Sequence, residues 1–224
     1  MRMRKKPNLI PRMEACGELI VTDVKEHRGH WRELLPAARE LRVELGCGKG
    51  RFTVETAQAE PDMLLIAVER VPDAMVIAAE RAKELGLKNV FFLDADAANL
   101  EEYFAPGEVD RIYINFCDPW PGARYAKRRL THPNFLLCYR KILGEGGQIH
   151  FKTDNHDLFE WSLFQFPKAD FELSEVSRDL HVGGVKGIMT DYEEKFYQFG
   201  TPINRCVGTV QPRQKELEEL KLKG

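Results

Sequence analysis

The stretch Val43-Glu44-Leu45-Gly46-Cys47-Gly48-Lys49-Gly50 limits this chain's choice of fold more than any other. It closes a short apolar run, Leu41–Leu45, and opens a helical pattern, Arg51–Ala59. A strand that runs into glycines and re-emerges as a helix belongs to a sheet crossed over by helices. The following residues keep that rhythm. Met63–Glu69 is an apolar run of strand length. Pro72–Leu85 has Pro at its first helical position and Gly86 just past its end, the usual asymmetry of helix termini. Its Met75, Ala78, Ala79, Ala82 and Leu85 share one helical face. Val90–Leu93 and Arg111–Phe116 read as strands and Pro133–Ile142 as a helix. Gly144, Gly146 and Gly147 read as a turn, Gln148–Thr153 as a strand and Asn155–Phe166 as a helix. Phe171–Ser177 and Ile203–Val210 read as extended. The alternation predicts an α/β fold with a mostly parallel sheet covered by helices on both faces.

The 224 residues suffice for one well-buried domain and are few for two. We divide them into a basic arm over 1–20, one domain over 21–213 and a charged tail over 214–224, with a solvated helix expected at Gln214–Lys223. The net charge of −2 conceals local asymmetry. Residues 1–12 carry Arg2, Arg4, Lys5, Lys6 and Arg12 and no acid, a pattern that steers anionic ligands. Cys16, Cys47, Cys117, Cys138 and Cys206 form no CxxC pair, which argues against a disulfide framework and for a reducing cytoplasm. No histidine spacing suits a metal, and Asp154-Asn155-His156-Asp157 lacks the glycine and later carboxylate of a calcium loop. No apolar run approaches the roughly 20 residues of a membrane span. The basic start lacks the apolar core of a secretory signal. A monomer and a homodimer stay equally open.

The glycine spacing selects among ligands. The dinucleotide fingerprint is G-x-G-x-x-G. Here the third glycine, Gly50, comes one residue early. That shorter form suits a ligand without a pyrophosphate, such as S-adenosylmethionine. Gly46 permits the turn, and Gly48 and Gly50 allow close approach to the backbone. Glu44 would repel a pyrophosphate and favour a sulfonium or amino group. Glu69, at the end of the second strand, suits a ribose diol. Asp96, at the end of the third strand, suits the adenine amino group. Each acid alone is equally well a surface residue. Three at successive strand ends, beside the glycine loop, favour a cofactor site. A nicotinamide dehydrogenase remains an alternative, disfavoured by Gly50 and Glu44.

Asp118-Pro119-Trp120-Pro121 follows the fourth strand, and Arg124, Lys127, Arg128 and Arg129 come next. A stiff polar loop therefore abuts a phosphate-seeking segment. A nucleic acid enzyme needs both together. A non-catalytic RNA-binding module on the same fold is a third reading, opposed by the intact acids.

These residues resemble the bacterial tRNA (guanine-N7-)-methyltransferases, which are class I enzymes with a Rossmann-like seven-stranded sheet. The resemblance runs from the Met-Arg-Met-Arg start to about Cys206. Its most specific parts are Asp118–Pro121 with Arg124–Leu130, then Phe151-Lys152-Thr153-Asp154, and Thr190-Asp191-Tyr192-Glu193-Glu194-Lys195-Phe196. It implies methylation of guanine N7 at position 46 of the tRNA variable loop, with S-adenosylmethionine as cofactor and tRNA as partner. It implies cofactor contacts from Glu44, Glu69, Asp96 and Asp118. It implies substrate contacts from Asp154, Thr190, Asp191, Tyr192 and Glu193, and an RNA-facing segment from Arg124 to Arg129. Asp118 and Asp154 are the expected catalytic pair. In one departure, the family lysine after Trp-Pro is Gly122 here.

Overall fold

The computed structural model describes residues 6–212. The tail helix expected at Gln214–Lys223 and the first five residues of the arm lie outside the described residues. Among the described residues, seven strands form one sheet: β1 Glu40–Leu45, β2 Met63–Glu69, β3 Val90–Asp94, β4 Val109–Asn115, β5 Leu143–Thr153, β6 Phe171–Ser177 and β7 Asn204–Val210. Their order is β3-β2-β1-β4-β5-β7-β6. The pairs from β3 through β5 are parallel, and β7 runs antiparallel to both β5 and β6. The order reverses between β1 and β4. Crossover helices leave opposite faces there, and a crevice opens at the carboxyl ends of the strands.

Period-two alternation splits the strands into two cores. Leu41, Val43, Leu45, Ile112, Ile114, Ile149 and Phe151 face one way, toward α4 (Leu100–Tyr103), α5 (Pro133–Ile142) and α6 (His156–Leu163). Met63, Leu65, Ala67, Val90 and Phe92 face the other way. They meet α2 (Arg51–Ala59) and α3 (Pro72–Glu84), including Ala57, Met75, Ala78, Ala79 and Ala82. β2 is apolar along its length because both of its faces are covered. On the second face, β1, β4 and β5 turn polar, with Arg42, Glu44, Asn115 and Lys152 buried. Polar side chains in that setting need partners, and those partners build the site described below.

The sequence boundaries of α2, α5, β2 and β6 stand as read. β1, β3, β4, β7 and α3 shift by one or two residues at an end, and three readings change by more. β5 begins at Leu143, because Gly144, Gly146 and Gly147 form a bulge rather than a turn: Val109 pairs with Leu143 and Arg111 already with Gln148. Gly146 takes the left-handed φ of 68° that the bulge requires. α6 ends at Leu163, where the ladder tightens to 3-10-type bonds from Phe164 N–H to the Trp161 carbonyl and from Gln165 N–H to the Ser162 carbonyl, and Pro167 has no N–H to carry it on. Within the 1–20 arm, α1 (Leu9–Ala15) is docked against α3, with Arg12 and Glu80 in a two-bond pair at 2.6 Å each.

The polar segment 21–39 has little regular structure, yet it is tied down. The Glu108 carboxylate accepts from the backbone N–H of Gly29, Trp31 and Ala105. Trp31 is fully buried and donates its indole N–H to the Tyr103 carbonyl at 2.8 Å.

Candidate active site

The glycine loop leaves β1 at the strand-order reversal. Gly46, Gly48 and Gly50 all have positive φ, at 78°, 58° and 78°. Glycine adopts that region without strain. A Cβ added to Gly46 or Gly48 would meet no atom within 4 Å, so the loop backbone is open to a ligand on that side. Gly50 is glycine for a different reason from the one its spacing suggested. Its Cβ would stand 2.4 Å from the Cβ of Ala78, so its missing side chain serves the close approach of α2 to α3.

Two acids hold the loop. Glu69 accepts from the N–H of Gly48 and of Val71, each at 2.9 Å. It bridges the ends of β1 and β2 and keeps lone pairs to spare. Glu44 lies beneath the loop, 1% exposed. It accepts from the Thr53 hydroxyl at 2.6 Å and from Asn115 Nδ2 at 3.3 Å. Burial pushes its carboxyl up to about 7, against the two hydrogen bonds and the nearby Lys152 ammonium. Asp96 is further out. It accepts from Ala98 N–H at 2.9 Å and lies 3.5 Å from Arg70, the residue after Glu69. Of the acids expected at three strand ends, Glu44 and Glu69 stand at the ends of β1 and β2, and Asp96 lies two residues past the end of β3, on the same edge of the sheet.

Asp118 stands on a strained loop. Phe116 and Trp120, two residues to either side, have φ of 53° and 43°. Left-handed backbone costs a non-glycine residue about 1 kcal/mol or more, and it persists where surroundings enforce it. The Phe116 N–H donates to the Lys152 carbonyl at 2.9 Å, and the Phe116 ring stacks on Phe196 at 6.1 Å. The Trp120 carbonyl accepts from Arg129 Nε and Nη2 at 3.3 and 3.2 Å. Asp118 is exposed, and Asp154 follows the end of β5 half-buried. Both carboxylates act on the same thiol, Cys117, which burial pushes up to about 12. β4 and β5 are parallel neighbours, so the two acids follow strand ends on the same edge of the sheet.

The basic run forms a 3-10 turn over Ala123–Arg128. Arg128 lies over the Trp120 ring at 4.7 Å, and Arg124 over the Tyr125 ring at 4.5 Å. Arg124, Lys127 and Arg128 remain exposed. Arg129 is half-buried and turns inward, onto the Trp120 carbonyl and over the Trp161 ring at 4.4 Å, where it braces the loop. Gly122 has φ 90° and ψ 140°, a conformation a lysine rarely adopts. The departure from the family lysine has that local backbone behind it.

The segment Thr190–Glu193 caps a helix, α7 (Asp191–Gln198). Thr190 accepts from Glu193 N–H at 2.9 Å, and the Glu193 carboxylate returns to Thr190 N–H at 3.3 Å. Tyr192 projects outward, 63% exposed. Asp191 pairs with Arg81 at 3.2 Å, and Glu194 pairs with Arg51. Glu193 differs from its expected role. It is fully buried and held by Lys152 at 2.6 Å and His181 at 3.0 Å, so its carboxylate supports the segment from within. The sequence does not mark Lys152 and His181 as site residues, because neither charge type nor spacing reveals a buried network. Among the described residues, no cluster of three or more His, Cys, Asp or Glu could hold a metal, and no helix is long and apolar enough to cross a membrane.

A family model described as "Putative methyltransferase" matches residues 38–206. The chain is 45% identical over 215 residues to the tRNA (guanine-N(7)-)-methyltransferase of Geobacillus kaustophilus (strain HTA426), covering 96% of this chain and 99% of that one. It is 42% identical to the protein of the same name from Geobacillus thermodenitrificans (strain NG80-2), covering 96% and 100%. Among solved structures, the 16S rRNA methyltransferase KamB superposes with a TM-score of 0.65 at 18% identity, covering 82% of this chain and 94% of that one. That last likeness is one of fold.

Proposed function

The chain belongs to the tRNA (guanine-N(7)-)-methyltransferase family, and from that premise we infer what each part of the crevice does. The reaction transfers a methyl group from S-adenosylmethionine to N7 of a guanine in tRNA. Family membership sets aside the dehydrogenase alternative. We assign the target to the guanine at position 46 of the variable loop.

S-adenosylmethionine, when bound, supplies an electrophilic methyl group on a sulfonium. The residues present fit it. Gly46 and Gly48 expose backbone with no side chain in the way. Glu69 has acceptor capacity left after binding Gly48 and Val71, and it takes the ribose hydroxyls. Asp96, on the same rim, takes the adenine amine. Glu44 places a carboxyl under the cationic end.

Guanine N7 bears a free lone pair on the major-groove edge. No proton has to leave before it attacks, and the product base is cationic. Catalysis is then alignment plus charge placement. Asp118 accepts from guanine N1–H and the exocyclic amine and stabilises the cation that forms. Asp154 supports it from β5. Arg124, Lys127 and Arg128 meet phosphates beside the loop, and Tyr192 covers the nucleotide. Asp191 and Thr190 shape the same edge. A base reached this way leaves its stack.

The observation that carries this assignment is the strained Phe116–Trp120 loop. It carries Asp118 off the end of β4, the strand between β1 with its glycine loop and β5 with Asp154, and the cationic turn follows it. We place the enzyme in the cytoplasm, where tRNA is modified and where five free thiols are stable. Incubation with labelled S-adenosylmethionine and bulk tRNA, followed by nucleoside mapping, should yield 7-methylguanosine at position 46. Label in another base or at another position would overturn the assignment.

A further inference from the structure

We propose that Lys152 is a positioning residue for the tRNA substrate, one that sets the Thr190–Tyr192 segment at a fixed place relative to Asp118 and Asp154. The proposal rests on the roles assigned above to those residues.

Lys152 lies in β5, two residues before Asp154, and its side chain is 9% exposed. It reaches both halves of the substrate site. Its carbonyl accepts the Phe116 N–H at 2.9 Å and so fixes the root of the Asp118 loop. Its ammonium donates to Glu193 Oε2 at 2.6 Å and to the Ile188 carbonyl at 3.1 Å. Beneath it lies the Phe52 ring, 5.1 Å away. One residue of the rigid sheet thus holds the aspartate loop by its main chain and the α7 cap by its side chain.

The Glu193 end is equally defined. The carboxylate accepts from His181 Nε2 at 3.0 Å. Lys186 N–H donates to His181 Nδ1 at 3.2 Å. That bond makes Nδ1 the acceptor, so Nε2 is the nitrogen that donates to Glu193. Residues 181–193 therefore wrap around one buried carboxylate, and Lys152 ties that carboxylate to the sheet. Beside the stacking of Phe116 on Phe196, the other ion pairs on α7, Arg81–Asp191 and Arg51–Glu194, are partly exposed and weaken with salt.

A buried ion pair is a poor way to gain stability. Well-packed apolar residues of the same volume do as well or better. What it supplies is direction, since a charge-assisted bond has a narrow optimum of distance and angle. Direction is what a reaction governed by alignment needs.

The test uses the full-length enzyme with Lys152→Met, which keeps the length of the side chain and removes the ammonium. tRNA Kd by filter binding, tRNA KM, and S-adenosylmethionine Kd by calorimetry are measured beside the wild type. A misplaced contact segment should weaken tRNA by about tenfold or more in both Kd and KM, while S-adenosylmethionine, which feels the ammonium only through Glu44, loses clearly less. tRNA affinity within twofold of wild type, or an equal loss for both ligands, would overturn the proposal. If Lys152→Met does not fold, Glu193→Gln removes the ion pair while keeping a capping-box residue, and the same split decides. The wild-type nucleoside map separates the two claims. Label away from guanine N7 overturns the assigned reaction, whereas an unchanged tRNA Kd in the variant overturns only the role of Lys152.

Discussion

Glu44→Gln should make the protein more stable at pH 8 while weakening its hold on S-adenosylmethionine. Glu44 is 1% exposed, and burial raises its carboxyl from 4.5 to about 7. The folded state therefore keeps a proton that the unfolded chain gives up. Between those two values the folded state binds more protons, so stability falls as pH rises. The protonated form contributes fully below about 4.5, and its advantage has gone by the time pH passes 7. The whole effect is about 3 kcal/mol, of which roughly 2 to 3 kcal/mol falls between pH 5 and pH 8. Glutamine is the uncharged isostere and carries no such dependence. Its carbonyl can still accept from Thr53. The adjoining Asn115 has a buried Oδ1 with no hydrogen-bond partner, and an amide rotated by 180° would offer that oxygen to the new Gln amide. Urea unfolding of both proteins from pH 5 to pH 8 measures the effect. The stability gap should be small at pH 5 and should widen by about 2 to 3 kcal/mol, in favour of the variant, at pH 8. Parallel curves across that range would refute the reasoning, because Glu44 would then have the same proton affinity folded and unfolded. Calorimetry at pH 8 should show the cost, a weaker S-adenosylmethionine Kd in the variant.

Asp118→Ala should abolish methyl transfer while leaving the melting temperature near that of the wild type, since the side chain is exposed; normal turnover in a single-turnover assay would reject its role. With Arg129 turned inward, Arg124, Lys127 and Arg128 remain for phosphates, so the log–log salt slope of tRNA affinity should be about −2 to −3. A slope near zero by filter binding would remove the turn from the interface. Gly50→Ala should destabilise by about 1–3 kcal/mol through overpacking and backbone strain, because the new Cβ lands 2.4 Å from that of Ala78; an unchanged denaturation midpoint would contradict the packing.

Local order in the chain was enough to reveal the alternating elements, the glycine loop and the acids at the strand ends. Period and propensity act over a few residues, and β2, α2 and α5 depend on little else. The rim of Glu44, Glu69 and Asp96 was legible for the same reason: each acid sits at or just past a strand end, and parallel strands bring their ends to one edge. Other features came from distant partners. The reason for Gly50 is Ala78, and the reason for the inward turn of Arg129 includes Trp161. Glu193 read as an open substrate contact until the fold placed Lys152 and His181 against it. Burial and pairing depend on what lies across the sheet, and a linear string carries no such distance. The sequence therefore determined which chemistry the crevice holds. Tertiary packing decided which of its charges face the substrate and which are locked inside to hold the others in place.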